Sequence, residues 1–174
     1  MFTSSVGAAL IDRCAFRNNT ATHGAGVMVR GASAADATAM TPSFRLSLFE
    51  DNVGTGINNN GAGAYVQDSA PRFSNCTWLR NTASGSSGGG LAVVSFKASA
   101  TVAPVFEHCL LESNTVERVA SVKANNLGGG GTSISDASPI FDGCAWRSNA
   151  ALQNDRLAEY LGKAFAQPFG GGIY

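Results

Sequence analysis

The chain has 174 residues, and its 12 Lys and Arg residues balance its 12 Asp and Glu residues, so the formal net charge is zero. Without a positive excess or a basic stripe, the composition argues against nucleic-acid binding as the main activity. No apolar run is long enough to cross a bilayer, and residues 1–10 lack the basic and apolar regions of a complete signal peptide. We expect a single domain that covers residues 1–174.

A short unit, apolar-x-x-Cys-x-apolar-x-x-Asn, occurs five times along the chain, with Ser47 in place of Cys in the second copy. The first apolar column is Ile11, Phe44, Phe73, Phe106 and Phe141. The thiol column is Cys14, Ser47, Cys76, Cys109 and Cys144. The second apolar column is Phe16, Phe49, Trp78, Leu111 and Trp146. The last column is Asn19, Asn52, Asn81, Asn114 and Asn149.

The units are 33, 29, 33 and 35 residues apart, and a cluster of small residues rich in glycine follows each one. This loose period is typical of a β-solenoid, in which short strands stack while the loops between them vary in length. Stacked strands lie about 4.8 Å apart, so identical side chains form ladders along the axis. We expect each Asn to bond to the Asn above and below it, at a turn that tolerates left-handed backbone.

The spacing Phe-x-x-Asn occurs at Phe16 to Asn19 and at Phe49 to Asn52, and Trp or Leu replaces Phe in the other three units. In the glycine clusters, the third residue is Gly26, Gly63, Gly90, Gly131 and Gly172. Over residues 11–174 the chain resembles the repeats of polymorphic outer membrane proteins, which usually have alanine in place of that glycine. The resemblance implies a right-handed parallel β-helix of about five coils, similar to the pectin-lyase-like superfamily. It implies architecture more than activity.

The last insert, residues 150–169, differs from the others because its apolar residues follow helical spacing. The pattern predicts a short helix at about residues 155–165, with Asn154 as its N-cap and Pro168 beyond its end. One face of this helix would carry Leu157, Tyr160, Leu161 and Phe165. The helix either covers the flank of the solenoid or presents this face to a protein partner.

The four cysteines share one column, and the parallel side chains of a column do not point at each other in disulfide geometry. We therefore expect buried free thiols that act as small apolar residues. No Cys-x-x-Cys pair occurs, so the sequence predicts no metal site, and it implies no cofactor.

The best candidates for catalysis follow the first apolar column, which places Glu107 and Asp142 in neighbouring coils with His108 adjacent in sequence. Clustered carboxylates on one outer face are what a carbohydrate lyase or hydrolase needs. However, the chain lacks the arginine and the metal-binding carboxylates that pectate-lyase-like enzymes use. Activity is therefore uncertain, and we expect that the protein is not an enzyme.

The chain stops where another strand is expected, at Gly-Gly-Gly-Ile-Tyr, so we expect either a segment of a longer solenoid or a second chain that covers the open edge. Sequons at Asn18 and Asn75 favour secretion weakly. We expect a structural or adhesive module of a larger surface or extracellular protein, which binds a protein partner, neighbouring solenoid coils or a polysaccharide through its lateral strands or inserts. The alternatives are a carbohydrate-active enzyme and an architectural subunit of a large assembly, including an intracellular one.

Overall fold

The computed structural model describes residues 9–31, 42–55, 61–84, 88–96, 103–117 and 128–152. In these ranges every regular element is a short strand. The helix predicted at 155–165, with its candidate partner-binding residues, lies outside the described residues. Among the described residues, no helix has the length and hydrophobicity to span a membrane.

The strands follow one another in repeating groups of four, and each group forms one coil. The first coil contains β1 (Leu10–Asp12), β2 (Ala15–Arg17), β3 (Thr20–Ala21) and β4 (Val27–Arg30). The second contains β5 (Ser43–Arg45), β6 (Leu48–Glu50), β7 (Val53–Thr55) and β8 (Ala64–Gln67). The third contains β9 (Arg72–Ser74), β10 (Thr77–Leu79), β11 (Thr82–Ser84) and β12 (Leu91–Val94). The fourth contains β13 (Val105–Glu107), β14 (Leu110–Glu112), β15 (Thr115–Glu117) and β16 (Thr132–Ser135). The fifth has β17 (Ile140–Asp142), β18 (Ala145–Arg147) and β19 (Ala150–Leu152).

Strands at the same position of successive coils pair in parallel and build four sheets. Sheet 1 joins β1, β5, β9, β13 and β17, sheet 2 joins β2, β6, β10, β14 and β18, sheet 3 joins β3, β7, β11, β15 and β19, and sheet 4 joins β4, β8, β12 and β16. The described strands therefore form four groups of four and three strands of a fifth group. The predicted all-β parallel solenoid is confirmed.

The core is built from the two apolar columns of the repeat. Rings within a column stack face to face, as between Phe44 and Phe73 at 4.5 Å and between Phe49 and Trp78 at 5.0 Å. Rings of different columns meet edge-on, as between Phe73 and Trp78 at 5.2 Å. These four side chains are fully buried. Each ring thus packs against the same position of the next coil and against the other column of its own coil.

The corners before the thiol column and before the asparagine column have left-handed backbone. At the first corner φ is 52° for Arg13, 50° for Leu46, 53° for Asn75, 51° for His108 and 59° for Gly143. At the second it is 53° for Asn18, 53° for Asp51, 52° for Arg80, 54° for Ser113 and 51° for Ser148. We expected the ladder asparagines themselves to adopt this conformation, but the residue one position before each of them adopts it instead. The residue before each Asn makes the turn, which directs the Asn side chain inward.

The third residue of the first three clusters, Gly26, Gly63 and Gly90, allows the backbone to approach the core side chains closely. A Cβ on Gly63 would lie 2.6 Å from Cδ1 of Trp78 and 2.9 Å from Nδ2 of Asn81. A Cβ on Gly26 would lie 3.0 Å from Nδ2 of Asn52, and one on Gly90 would lie 3.0 Å from Nδ2 of Asn114. A methyl group at these three positions would therefore overlap the core side chains.

Trp78→Ala is expected to lower the free energy of unfolding by about 3–5 kcal/mol, because a fully buried aromatic side chain is lost. The matched control is Trp146→Ala in the fifth coil, where the same column is only partly buried, so the loss should be smaller. Urea unfolding followed by circular dichroism measures both. Equal losses at the two positions would contradict the stacked-column packing.

Gly63→Ala is expected to cost roughly 1–3 kcal/mol or more, because the new methyl group overlaps Trp78 and Asn81. Gly54→Ala is the control, since a Cβ there would lie 3.5 Å from Cβ of Ala62, an ordinary contact. It should change stability by less than about 1 kcal/mol and can stabilise the protein by restricting the unfolded chain. Thermal unfolding compares the two variants, and a tolerated Gly63→Ala would show that the close approach is not required.

Candidate functional site

The asparagine column forms a continuous hydrogen-bonded ladder through the coils. In the central coil, the backbone N–H and Nδ2 of Asn81 donate to Oδ1 of Asn114, at 3.0 and 2.9 Å. Nδ2 of Asn81 also donates to the carbonyl oxygen of Phe49 at 2.9 Å. Oδ1 of Asn81 accepts from the backbone N–H and Nδ2 of Asn52, at 3.1 and 2.9 Å. The buried amide therefore uses two donor and two acceptor positions, a combination that Asp and Ser do not have.

The four cysteines are free, and their exposure changes along the column. Cys76 and Cys109 are buried, Cys144 is half-buried, and Cys14 is exposed. A hydrogen bond with the Cys76 thiol, together with burial, raises the pKa of Cys109. Burial raises the pKa of Cys144 to about 11. These two thiols are thus held in the protonated form at neutral pH, which suits packing rather than nucleophilic chemistry.

The structure places the three catalytic candidates close together on the outer side of sheet 1. Glu107 and Asp142 are direct register partners in neighbouring strands. Glu107 is half-buried and forms an ion pair with Arg72, whereas Asp142 is exposed. His108 is an exposed corner residue, and its ring lies against Gly143, where a Cβ would be 2.9 Å from Cε1.

This arrangement offers two neighbouring carboxylates but little that adjusts them for catalysis. The guanidinium of Arg72 compensates the charge of Glu107. Asp142 and His108 are both exposed to solvent. Among the described residues, no group of three or more His, Cys, Asp or Glu side chains could hold a metal ion.

Ion pairs cross the outer faces of sheets 1 and 2. Arg80 binds Glu50 at 2.7 Å and Asp51 at 2.9 Å, and Arg17 binds Glu50 at 2.7 Å. Arg45 donates to both carboxylate oxygens of Asp12, at 2.9 and 3.0 Å. These hydrogen bonds hold the pKa values of Asp51 and Asp12 below the ordinary 3.8.

A lowered carboxylate pKa stabilises the folded state above the ordinary pKa of the group, and this stabilisation is lost as the pH falls through the lowered value. Because the pairs are exposed, each contributes little. Their main effect is on the surface charge of sheets 1 and 2, where paired positive and negative side chains compensate each other and neither sign of charge dominates.

The outer face of sheet 3 differs because its charge is sparse. Its first outward column is Thr20, Val53, Thr82, Thr115 and Ala150. The second outward column begins with Thr55 and Ser84 and becomes charged only at Glu117. We call this surface the threonine face. It is the least charged of the three outer faces that remain open to solvent.

Sequence reasoning missed a buried polar chain on the outer side of sheet 4. Tyr65 and Gln67 point outward yet are buried, and the Tyr65 hydroxyl lies 3.4 Å from Oε1 of Gln67. Nε2 of Gln67 donates to Oδ2 of Asp68 at 3.3 Å, while Oδ1 of Asp68 accepts from the backbone N–H of Phe96 at 2.9 Å. The uninterrupted apolar strand Leu91–Val94 was the available signal, since a strand buried on both faces loses its alternation.

Comparisons of the chain with protein-family models, with curated proteins and with solved structures found no match. The parallel solenoid and the geometry of its faces are therefore the basis for assigning a function.

Thiol labelling should follow burial along the cysteine column. With an aromatic disulfide reagent at pH 8, exposed Cys14 is expected to react first, and Cys76 and Cys109 only on unfolding. The reason is that the thiolate is the reactive form and must be accessible to the reagent. Peptide mapping by mass spectrometry identifies each site, with Cys14→Ser as the control. Labelling of all four thiols at one rate would contradict the inward-facing column.

Proposed function

We propose that the chain is a non-enzymatic structural and adhesive β-solenoid module, and that it forms a segment of a larger surface or extracellular protein. The observation that carries this proposal is the state of the strongest catalytic candidate. Glu107 is compensated by Arg72 on an open face, and its neighbours Asp142 and His108 are exposed. Among the described residues, buried polar groups form hydrogen bonds between coils, such as the ladder bonds of Asn81, rather than a reaction centre.

The threonine face is the lateral surface best suited to a partner. A macromolecule that covers sheet 1 or sheet 2 must desolvate or break ion pairs such as those of Arg45 and Arg80, which is costly. The first three coils of the threonine face present hydroxyl and small apolar groups instead, including Thr20, Val53 and Thr82. A surface with sparse charge and a regular repeat along the axis suits an extended polysaccharide or a protein strand.

The docking role predicted for Leu157, Tyr160, Leu161 and Phe165 remains a proposal, because these residues lie outside the described ranges. The extracellular location is supported by the two sequons. Asn18 and Asn75 are both exposed at corners with left-handed backbone, so an attached glycan would point away from the core. Mapping of glycan-modified peptides from secreted protein tests this point, and unmodified Asn18 and Asn75 would remove that support.

The enzyme alternative is favoured by one observation, the register pairing of Glu107 with Asp142. Carboxyl groups of retaining glycosidases lie about 5–5.5 Å apart, a spacing that neighbouring strands can supply. A carbohydrate lyase or hydrolase that uses this pair would need Arg72 to release Glu107 when substrate binds.

A turnover assay separates the two functions. We expect no release of reducing ends or unsaturated products from acidic or neutral polysaccharides, and no difference between the native chain and Glu107→Gln or Asp142→Asn. Retention on immobilised polysaccharides should weaken for Thr82→Lys on the threonine face but not for Thr77→Lys on sheet 2. Turnover that disappears in a folded Glu107→Gln variant would refute the non-enzymatic proposal.

A further inference from the structure

Two thiols of the cysteine column lie next to each other in the middle of the described solenoid. Cys76 and Cys109 are 1% and 2% exposed, and both are free cysteines. They occupy the same position of the third and fourth coils, with Ser47 before them and Cys144 after them in the column. This pair of nucleophilic groups belongs to none of the sites described above.

The two cysteines are neighbours across one coil step. The strands that begin directly after them, β10 and β14, pair in parallel with Thr77 opposite Leu110. The N–H of Leu110 donates to the carbonyl oxygen of Cys76 at 2.9 Å. The Cys109 thiol donates a hydrogen bond to the sulfur atom of Cys76, so the two polarisable sulfur atoms already interact directly.

The surroundings of the pair are aromatic rings and backbone carbonyl oxygens. The rings of Phe73 and Phe106 stack at 5.1 Å in the same core cluster, and Sγ of Cys109 lies 3.6 Å from the carbonyl oxygen of Phe73 and 3.3 Å from that of Glu107. Among the described residues, no group of three His, Cys, Asp or Glu side chains is available to a metal ion. The pair therefore does not suit zinc, which takes four ligands, or hard cations, which take oxygen ligands.

The spacing of the coils suits a soft cation that accepts two sulfur ligands in line. Neighbouring strands lie about 4.8 Å apart, and two metal–thiolate bonds of about 2.3 Å each span nearly the same distance when they are collinear. Thiolate ligands select soft ions such as copper(I). We propose that Cys76 and Cys109 form a binding site for a soft monovalent cation of the copper(I) class, which lies between their sulfur atoms and links the third coil to the fourth.

Binding exchanges one proton for one cation. The S–H bond of Cys76 breaks, its proton leaves to solvent, and the sulfur atom uses the remaining electron pair to bind the cation. Cys109 keeps its proton and binds through a lone pair of its sulfur atom. The thiolate and the monovalent cation cancel in charge, so the complex is neutral. Neutrality suits the apolar surroundings, because an uncompensated buried charge is costly.

The site lies close enough to the surface for a bare ion to reach it. Asn75 and His108, which directly precede the two cysteines, are exposed corner residues. The thiols are therefore one residue away from solvent-exposed positions. Local opening of one corner would admit an ion, whereas a bulky aromatic reagent requires unfolding of the chain.

Silver(I) is the probe, because it has the charge and softness of copper(I) and is not oxidised by air. A chain with Cys14→Ser and Cys144→Ser retains only the proposed pair of thiols. Native mass spectrometry and calorimetry in chloride-free buffer should find one silver ion per chain, with one proton released per ion. Adding Cys76→Ser should weaken binding by more than about 100-fold, because one of the two sulfur ligands is lost.

The variants are expected to fold, because Ser47 already occupies this column and is 2% exposed. Circular dichroism verifies their folding. If the chain that retains only the pair binds no silver, binds two ions, or loses no affinity on Cys76→Ser, the inference is overturned.

Thermal unfolding separates a site in the folded chain from thiols that react only after unfolding. An ion held between two coils binds the native state and should raise the melting temperature of the chain that retains only the pair. A silver-induced decrease in that temperature would show binding to the unfolded chain and would overturn the proposal. X-ray absorption of the chain loaded with copper(I) without oxygen should show two sulfur neighbours, and nitrogen or oxygen ligands in their place would contradict the site.

Discussion

The buried asparagine ladder is the interaction on which the rest of the fold depends. Each interior amide fills its donor and acceptor positions with groups from the coils on both sides, so none of its hydrogen bonds is made within a single turn. A typical hydrogen bond contributes about 0.5–1.5 kcal/mol net, but an unpaired buried group costs about 1–3 kcal/mol. The ladder therefore sets the register more strongly than it adds stability, because a slipped coil would leave several buried polar groups unpaired.

The aromatic columns and the glycine clusters follow from the same register. Once Asn81 is placed, Trp78 lies three residues away on the inner side of sheet 2, and Gly63 of the preceding coil must leave room for both. Among the described residues, one buried polar atom is left without a partner in this organisation. The indole nitrogen of Trp78 has no hydrogen-bond partner among the described residues, because Ala64 of the preceding coil occupies the position at which Thr132 accepts from Trp146. The core thus accepts one unpaired donor in exchange for tight stacking.

The repeat made the fold and the contents of each column predictable, because identical positions in successive units must stack. It could not show contacts that cross between columns. Arg72 and Glu107 belong to different columns of neighbouring coils, so a comparison of positions one column at a time paired Glu107 with Asp142 and overlooked the arginine. The burial of Tyr65 and Gln67 was signalled only indirectly, by the apolar strand Leu91–Val94 at the same position of the next coil. Inserts of variable length, such as residues 150–169, have no stacked equivalent to guide their interpretation.

The left-handed corners have a consequence for how this protein can change. At the first corner, arginine, leucine, asparagine, histidine and glycine occupy equivalent positions with nearly the same φ. The conformation is imposed by the flanking strands and by bonds such as that from the N–H of Arg13 to the carbonyl oxygen of Arg45, rather than by the chemistry of the side chain. Since these side chains point to solvent, the residue at each corner can be substituted without disturbing the interior. The solenoid therefore has two kinds of position. Inward-facing positions accept few residue types because they maintain the shape, and outward-facing corner positions accept many and are free to vary with the surroundings.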